Sequence, residues 1–372
     1  MTIYNNFVLK LACLFLFLTL KPAFLFSQFL KKDLEFQISE IIKFDTSIEP
    51  EKTPGMEIAV IDRDSVWYIT VGSKYKDKEE ILKSNDVFEI GSVTKVLTST
   101  LVDILAEKNI ISRDSTINSY LPEEYRNPRM SQYLIKDLLN HSTQLPKRPL
   151  YFGRYEKDPQ NPYEYYGDKE LLEFYRDYIP DNEEFFVYSH TNYALLSYIL
   201  ERLLNADFGD IMEKYLFDPL DMHQSFVEFK ERKKEVITIG YDRALKEVKP
   251  WIFNSFKGSE SVKSTCEDLV KFIKANFDDY NTDLGVYMKD NFEQRNISFN
   301  DKLFISDGWN LLEVNDLIVA THTGKTSGHS AFIGFVRSTK TGVIVLSNSA
   351  FGSQDLGMLI LRMINFNWKR NQ

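Results

Sequence analysis

Cysteine is almost missing from this chain: Cys13 and Cys266 are the two in 372 residues. That excludes the dense disulfide framework of a small secreted scaffold, and Cys13 lies in a leader expected to be removed, which leaves Cys266 unpaired. Histidine is scarce as well, with five. His141, His223 and His329 have no acid or cysteine at ligand spacing, so no metal site is predicted. Positive charge is in deficit, with 45 Lys and Arg against 54 Asp and Glu. The net −9 falls to −11 once Lys10 and Lys21 leave with the leader, which argues against nucleic acid and anionic membrane surfaces as partners. Glycine and proline are few and no internal repeat or low-complexity linker occurs, which excludes arrays and fibrous architectures.

What is present is an ordinary globular composition, 43% apolar and 27% charged, long enough for one large catalytic unit. The first 27 residues stand apart. Lys10 precedes an apolar core from Leu11 to Leu20, Lys21-Pro22 ends it, and a small residue follows at Ser27. That is the pattern of a secretory signal, and the apolar run is too short to span a bilayer. Cys13, three residues after Lys10, does not look like a lipid-acylation site. The expected product is an exported protein of residues 28–372, periplasmic or secreted, without a stable membrane span.

Residues 29–44 carry Leu30, Leu34, Ile38, Ile41 and Ile42 on one helical stripe. Two strands, Met56–Ile61 and Val66–Val71, follow around the turn 62–65. From about 107 to 250 the chain reads as mostly helical, including a helix at Tyr193–Leu204. Between its helices lies an aromatic, charged loop from Tyr151 to Tyr166, which either lines a ligand cleft or ties itself down. After 300, strands are expected at Leu317–Thr323, Ala331–Arg337 and Gly342–Asn348, then a helix at Asp355–Phe366. The fold class is α+β: an antiparallel sheet flanked by the two terminal helices (about 28–91 and 252–372), beside a mostly helical lobe (about 92–251). A cleft should fall between them.

Phe88-Glu-Ile-Gly-Ser-Val-Thr-Lys95 opens a helix with apolar residues at Val93, Val96, Leu97, Leu101, Val102, Ile104 and Leu105. It is too apolar for a surface helix. Ser92 and Lys95, three apart, share one helical face. A serine needs a neighbouring base to become a nucleophile, and burial gives a lysine reason to lose its charge and become that base. Alone, the tetrapeptide fits equally a capping serine with a snorkelling lysine. A second copy, Ser73-Lys-Tyr-Lys76, sits in a charged turn with no apolar helix behind it.

Two further stretches decide between these readings. Phe185-Phe-Val-Tyr-Ser-His190 puts a tyrosine just before a buried helix, and His322-Thr-Gly-Lys-Thr-Ser-Gly-His-Ser-Ala-Phe-Ile-Gly-Phe335 puts a glycine-broken polar segment between two strands. A Ser-x-x-Lys, a Ser-Asp-Asn-like element and a Lys-Thr-Gly form the signature set of serine β-lactamases and penicillin-binding proteins. From about residue 35 onward the chain resembles that superfamily in its class C-like branch. Leu138-Leu-Asn-His-Ser-Thr-Gln-Leu-Pro146, Pro219-Leu-Asp-Met222 and Ser264-Thr-Cys-Glu-Asp-Leu269 support the likeness, and Asn161-Pro-Tyr163 is similar to the D-alanyl-D-alanine carboxypeptidase/endopeptidase relatives.

The resemblance implies a β-lactamase/transpeptidase-like fold with Ser92 as the acylated nucleophile and Lys95 and Tyr188 sharing the proton work, Tyr188 being the base for acylation and deacylation in that branch. His322-Thr323-Gly324 stands for Lys-Thr-Gly, the histidine keeping the phenol acidic and engaging the substrate. The backbone N–H groups of Ser92 and Lys325 would form the oxyanion hole. Lys325-Thr-Ser327 is a rival register, but only the His322 register aligns Gly328 and Phe332–Phe335 with the family's next strand. Departures also occur. His190 replaces the usual asparagine, which contacts lysine and substrate; Gln144 and Asp221 replace glycines; Gly258-Ser-Glu-Ser-Val262 replaces a glycine-rich turn. No cofactor is implied. The expected partner is a small molecule or peptidoglycan peptide, processed by a DD-peptidase, β-lactamase or esterase. The competing class is a non-catalytic relative that binds muropeptides or penicillins.

Overall fold

A computed structural model describes residues 31–44, 52–181, 186–229, 236–277, 297–298, 302–350 and 352–367. The expected leader lies outside them. The chain separates into two compact units, Met1–Thr46 and Ser47–Gln372. In the first, residues 31–44 are helical, and Leu34, Ile38 and Ile42 are buried at four-residue intervals, one helical stripe.

Among the described residues of the second unit twelve strands run in chain order: β1 (Gly55–Asp62), β2 (Ser65–Gly72), β3 (Phe88–Glu89), β4 (Gly240–Tyr241), β5 (Glu247–Val248), β6 (Lys263–Ser264), β7 (Ile297–Ser298), β8 (Leu303–Ser306), β9 (Trp309–Val314), β10 (Leu317–Lys325), β11 (Ser330–Val336) and β12 (Thr341–Ser347). Eight form one sheet in the order β2-β1-β12-β11-β10-β9-β8-β7, antiparallel at every step. The predicted α+β class is what the chain adopts. Five of the predicted strands stand in place within a residue or two, and β8–β9 is an addition. Its turn, Asp307-Gly308, has φ of 42° and 83°, the left-handed pair that a two-residue hairpin needs.

Both faces of the sheet centre are buried, so these strands read as near-continuous apolar runs. Ala59, Ile61, Ala331, Ile333, Phe335, Ile344 and Leu346 join the main core. Ile58, Val60, Phe332, Val343 and Val345 fill the other side. The C-terminal helix Ser353–Arg362 packs on β11 and β12. A Cβ on its Gly357 would lie 2.1 Å from the Phe332 ring, so the helix rests directly on that side chain. The helix Cys266–Ala275, capped by Thr265 accepting from the Asp268 N–H, packs on β1 and β12.

The stretch 107–250 corrects the expectation of a mostly helical region. Among the described residues its longer helical runs are Asp168–Asp177, His190–Leu204 and the composite run 208–220; the rest is short turns of helix, a small β4–β5 hairpin and irregular chain. Seven prolines between Pro122 and Pro180 explain it, because proline removes a backbone donor and clashes in a helix interior. Gln144 and Asp221 take φ of 64° and 55°, a left-handed backbone that favours glycine and accounts for the glycines expected there.

Candidate active site

Ser92 sits in a single 3-10 turn, Gly91–Val93, that runs into the helix Thr94–Glu107. Thr94 through Leu105 are all buried, so the helix crosses the interior. Ser92 caps nothing: no side-chain cap bond closes either start. Two glycines let this turn and β10 approach each other. Gly91 has φ 50°, and a Cβ there would lie 2.5 Å from the Lys325 backbone nitrogen. A Cβ on Gly324 would lie 1.8 Å from the Ile90 carbonyl oxygen and 3.0 Å from the Ser92 nitrogen. The Gly91–Val93 turn and the Lys325 backbone nitrogen are thereby brought close together.

Lys95 Nζ, fully buried, donates to Ser92 Oγ at 3.1 Å and to the Ser259 carbonyl at 3.1 Å. Burial pulls its pKa down to about 7, against the attraction of Glu260, which raises it. The ammonium also lies 5.1 Å from the Tyr188 ring centre and 5.7 Å from that of Tyr193. The Tyr188 hydroxyl reaches Ser92. Burial nevertheless drives this phenol well above its ordinary range, with the Glu260 charge acting the same way. Tyr188 therefore holds its proton at rest, and Lys95 is the group that can shed one near neutrality.

His322 lies in β10, its ring 6.5 Å from that of Tyr188, with Nδ1 2.8 Å from the Thr323 carbonyl. Burial, then the Lys95 charge, push it down to about 3. A neutral imidazole supplies no cation to keep the phenol acidic, contrary to the role expected for His322. In the rival register Thr326 Oγ1 donates to Glu89 at 2.9 Å and Ser327 Oγ accepts from the Trp251 indole, although both residues also line the cleft. Ser73 hydrogen-bonds the carbonyls of Lys78 and Glu80 inside its own turn.

His190 begins the helix His190–Leu204, but the cap is Ser189, which accepts from the Asn192 N–H. The imidazole instead faces a carboxylate that the sequence reading did not single out. Glu260 closes the short helix Lys257–Glu260 in the segment where a glycine-rich turn was expected. Its Oε2 lies 3.1 Å from His190 Nδ1 and accepts a short bond from the Tyr163 hydroxyl. Its Oε1 accepts from Ser92 Oγ at 3.0 Å. Burial alone would raise this carboxyl. His190, Lys95 and the Tyr163 hydrogen bond outweigh it and hold it down to about 2. An ionised carboxylate only accepts, so Nδ1 carries the imidazole proton and Nε2 is left as a lone pair. Burial and the Lys95 charge lower His190 to about 4 despite the pull of Glu260. Tyr163 brings the aromatic loop to the site, and Arg148 donates to its hydroxyl at 3.1 Å.

Ser92, Tyr188, His190, Glu260, Thr323, Gly324 and Lys325 all line one cleft of about 670 Å³, with Lys147 and Arg148 among the other residues that face it. Lys95 and His322 lie buried behind this wall. Among the described residues no group of three His, Cys, Asp or Glu could hold a metal ion. Cys266 is buried, its Sγ 3.4 Å from the Glu57 carbonyl.

The Beta-lactamase family model matches residues 43–363. A β-lactamase of Providencia stuartii is 21% identical over 84% of this chain and 86% of its own length. Penicillin-binding protein 4* of Bacillus subtilis is 24% identical over 82% of this chain and 70% of its own. Among solved structures, a class C β-lactamase superposes with a TM-score of 0.75 at 19% identity, covering 90% of this chain and 96% of the other. A β-lactamase/D-alanine carboxypeptidase of Pseudomonas syringae gives 0.74 at 18%, covering 90% and 99%. With the family pattern matched across most of its length and the same fold in those structures, the chain belongs to the Beta-lactamase family, the serine β-lactamase and penicillin-binding-protein hydrolases.

Proposed function

We propose that this protein is an exported serine hydrolase that forms an acyl-enzyme on Ser92, and that its substrate is a D-alanyl cell-wall peptide, a β-lactam or a small ester or amide. The observation that carries this reading is the Ser92–Lys95 pair: a nucleophile oxygen 3.1 Å from a buried amine that titrates near neutrality. A base is most effective when its pKa lies near the working pH. Neutral Lys95 takes the Ser92 proton as Oγ attacks the carbonyl carbon. The oxyanion is held by the Ser92 and Lys325 amides, and Lys95, with Tyr188 as relay, returns the proton to the leaving group. Water then repeats the sequence on the ester. His190, Thr323 and His322 shape and orient the substrate, the cleft divides the sheet lobe from the helical lobe, and residues 1–27 direct export.

A time course of fluorescent-penicillin labelling tests this. Rapid labelling and loss identifies a β-lactamase, and a persistent label a penicillin-binding protein. No label together with Ser92-dependent ester hydrolysis identifies an esterase. Label binding that is never covalent, with no hydrolysis, would leave only a binding relative.

A further inference from the structure

Glu260 obstructs the acylation step as the site stands. Its Oε1 accepts the Ser92 hydroxyl proton, the same proton Lys95 must remove. Lys95 must also be neutral to remove it, and His190 is neutral above about pH 4. In the working protonation state the carboxylate is therefore a buried anion with no cation touching it. Arg148 approaches only through the Tyr163 hydroxyl. A buried charge that has hydrogen bonds but no counter-ion is still costly for a protein to hold. Both problems have one solution, a cation delivered to Oε1.

Resting on the serine-hydrolase reading above, we infer that the acyl half of the substrate carries a free α-ammonium group, as in an aminoacyl ester or a peptide with an unblocked N-terminus, and that Glu260 is the residue that selects it. The geometry fits. The scissile carbonyl carbon must come to Ser92 Oγ, and Oε1 is 3.0 Å from that oxygen. A nitrogen on the neighbouring carbon then falls within hydrogen-bonding reach of Oε1. Oε2 is already occupied by Tyr163 and His190, so the ammonium takes the side facing the cleft. Its arrival displaces the serine hydroxyl from Oε1 and frees the proton to turn toward Lys95. It also offsets the Glu260 attraction that raises Lys95, so the substrate favours the neutral base it needs. A carboxylate held as low as Glu260 is a poor base but a permanent anion. Binding is the task it suits. An N-acylated substrate offers only a neutral amide N–H at this position, and a desamino substrate offers nothing.

The test compares benzyl esters of alanine (each enantiomer), N-acetylalanine and propionic acid at pH 7, with benzyl alcohol quantified by chromatography. The free-amine ester of one enantiomer should exceed the other two compounds in kcat/KM by roughly 10- to 100-fold, the scale of a hydrogen bond to a charged group. Glu260→Gln should bring that ratio close to one, whatever it does to each rate. If the three compounds are cleaved in a Ser92-dependent manner with no preference for the free amine, the ammonium assignment is overturned and the hydrolase reading stands. A preference that survives Glu260→Gln also overturns it. Absence of any Ser92-dependent cleavage, with no penicillin label, overturns both. The wild-type comparison decides the matter even if the variant fails to fold.

Discussion

Ser92 makes no cap and touches Lys95, Tyr188 and Glu260 through one oxygen. Ser92→Ala should abolish labelling and turnover at a cost of about 1 kcal/mol, the net worth of a typical hydrogen bond. A thermal melt and a label assay on the same sample check this, and Ser73→Ala serves as the inactive-copy control. Tyr188→Phe should keep the fold and lower kcat/KM by roughly 10²–10⁴, the scale of a proton-transfer group; near-normal turnover would leave proton transfer to Lys95 alone. Two titrations should be separable in the pH–rate profile. Lys95 must lose its proton to act, so activity should rise with pH through about 7. His190 titrates near 4, so wild type and His190→Asn should share the limb near 7 and diverge only below about pH 5. A shift of the upper limb in His190→Asn would mean that His190 sets the Lys95 pKa.

At the scale of elements, the start of the Ser92 helix and the end of β10 depend on one another. A methyl at position 324 would collide with the Ile90 carbonyl. Gly324→Ala should therefore displace the strand, costing about 1–3 kcal/mol as overpacking does, and slow acylation by at least ten-fold while penicillin still docks. Label rate against label extent separates the two. β1, β2 and β10–β12 were legible because apolar runs bounded by turn residues state their own period. β8–β9 was equally legible in Asp307-Gly308 followed by Trp-Asn-Leu-Leu-Glu-Val. The segment before it carries no comparable pattern. Between 107 and 250, prolines override the helical periodicity. Ser92 and Lys95 are local neighbours and therefore visible in a tetrapeptide. Glu260 is 168 residues from Ser92, and no periodicity reports such a contact. The signals available were the carboxylate in a segment expected to be glycine-rich and His190 in place of asparagine, two departures that turn out to touch.

Across the whole molecule, the buried carboxylate and imidazoles of the site push stability in one direction as the pH falls. Glu260 falls from an ordinary 4.5 to about 2 on folding. Its contribution is complete above about pH 4.5 and is lost as pH drops toward 2. His190 and His322 fall from 6.5 to about 4 and about 3. Below 6.5 the unfolded chain takes up protons that the folded chain refuses, which again favours unfolding in acid. The Tm should decline steadily from pH 6.5 to 3, and the upper part of that decline should be shallower in His190→Asn. A Tm that is flat over this range would contradict the burial of all three groups.

The clamp formed by Gly91 and Gly324 also bears on when, during folding, the molecule acquires its reactivity. Ser92 and Lys95 are within hydrogen-bonding distance as soon as one turn of helix forms. The second amide of the proposed oxyanion hole comes from Lys325, which arrives only when β10 has docked against the distant Gly91–Val93 turn. Such long-range pairings form late, because the loop they close must first be ordered. A partly folded chain can thus hold its nucleophile and base side by side and remain chemically silent. In a refolding experiment, competence to be acylated should appear after the far-UV helical signal and together with tryptophan burial, so that the first covalent label marks the completed topology.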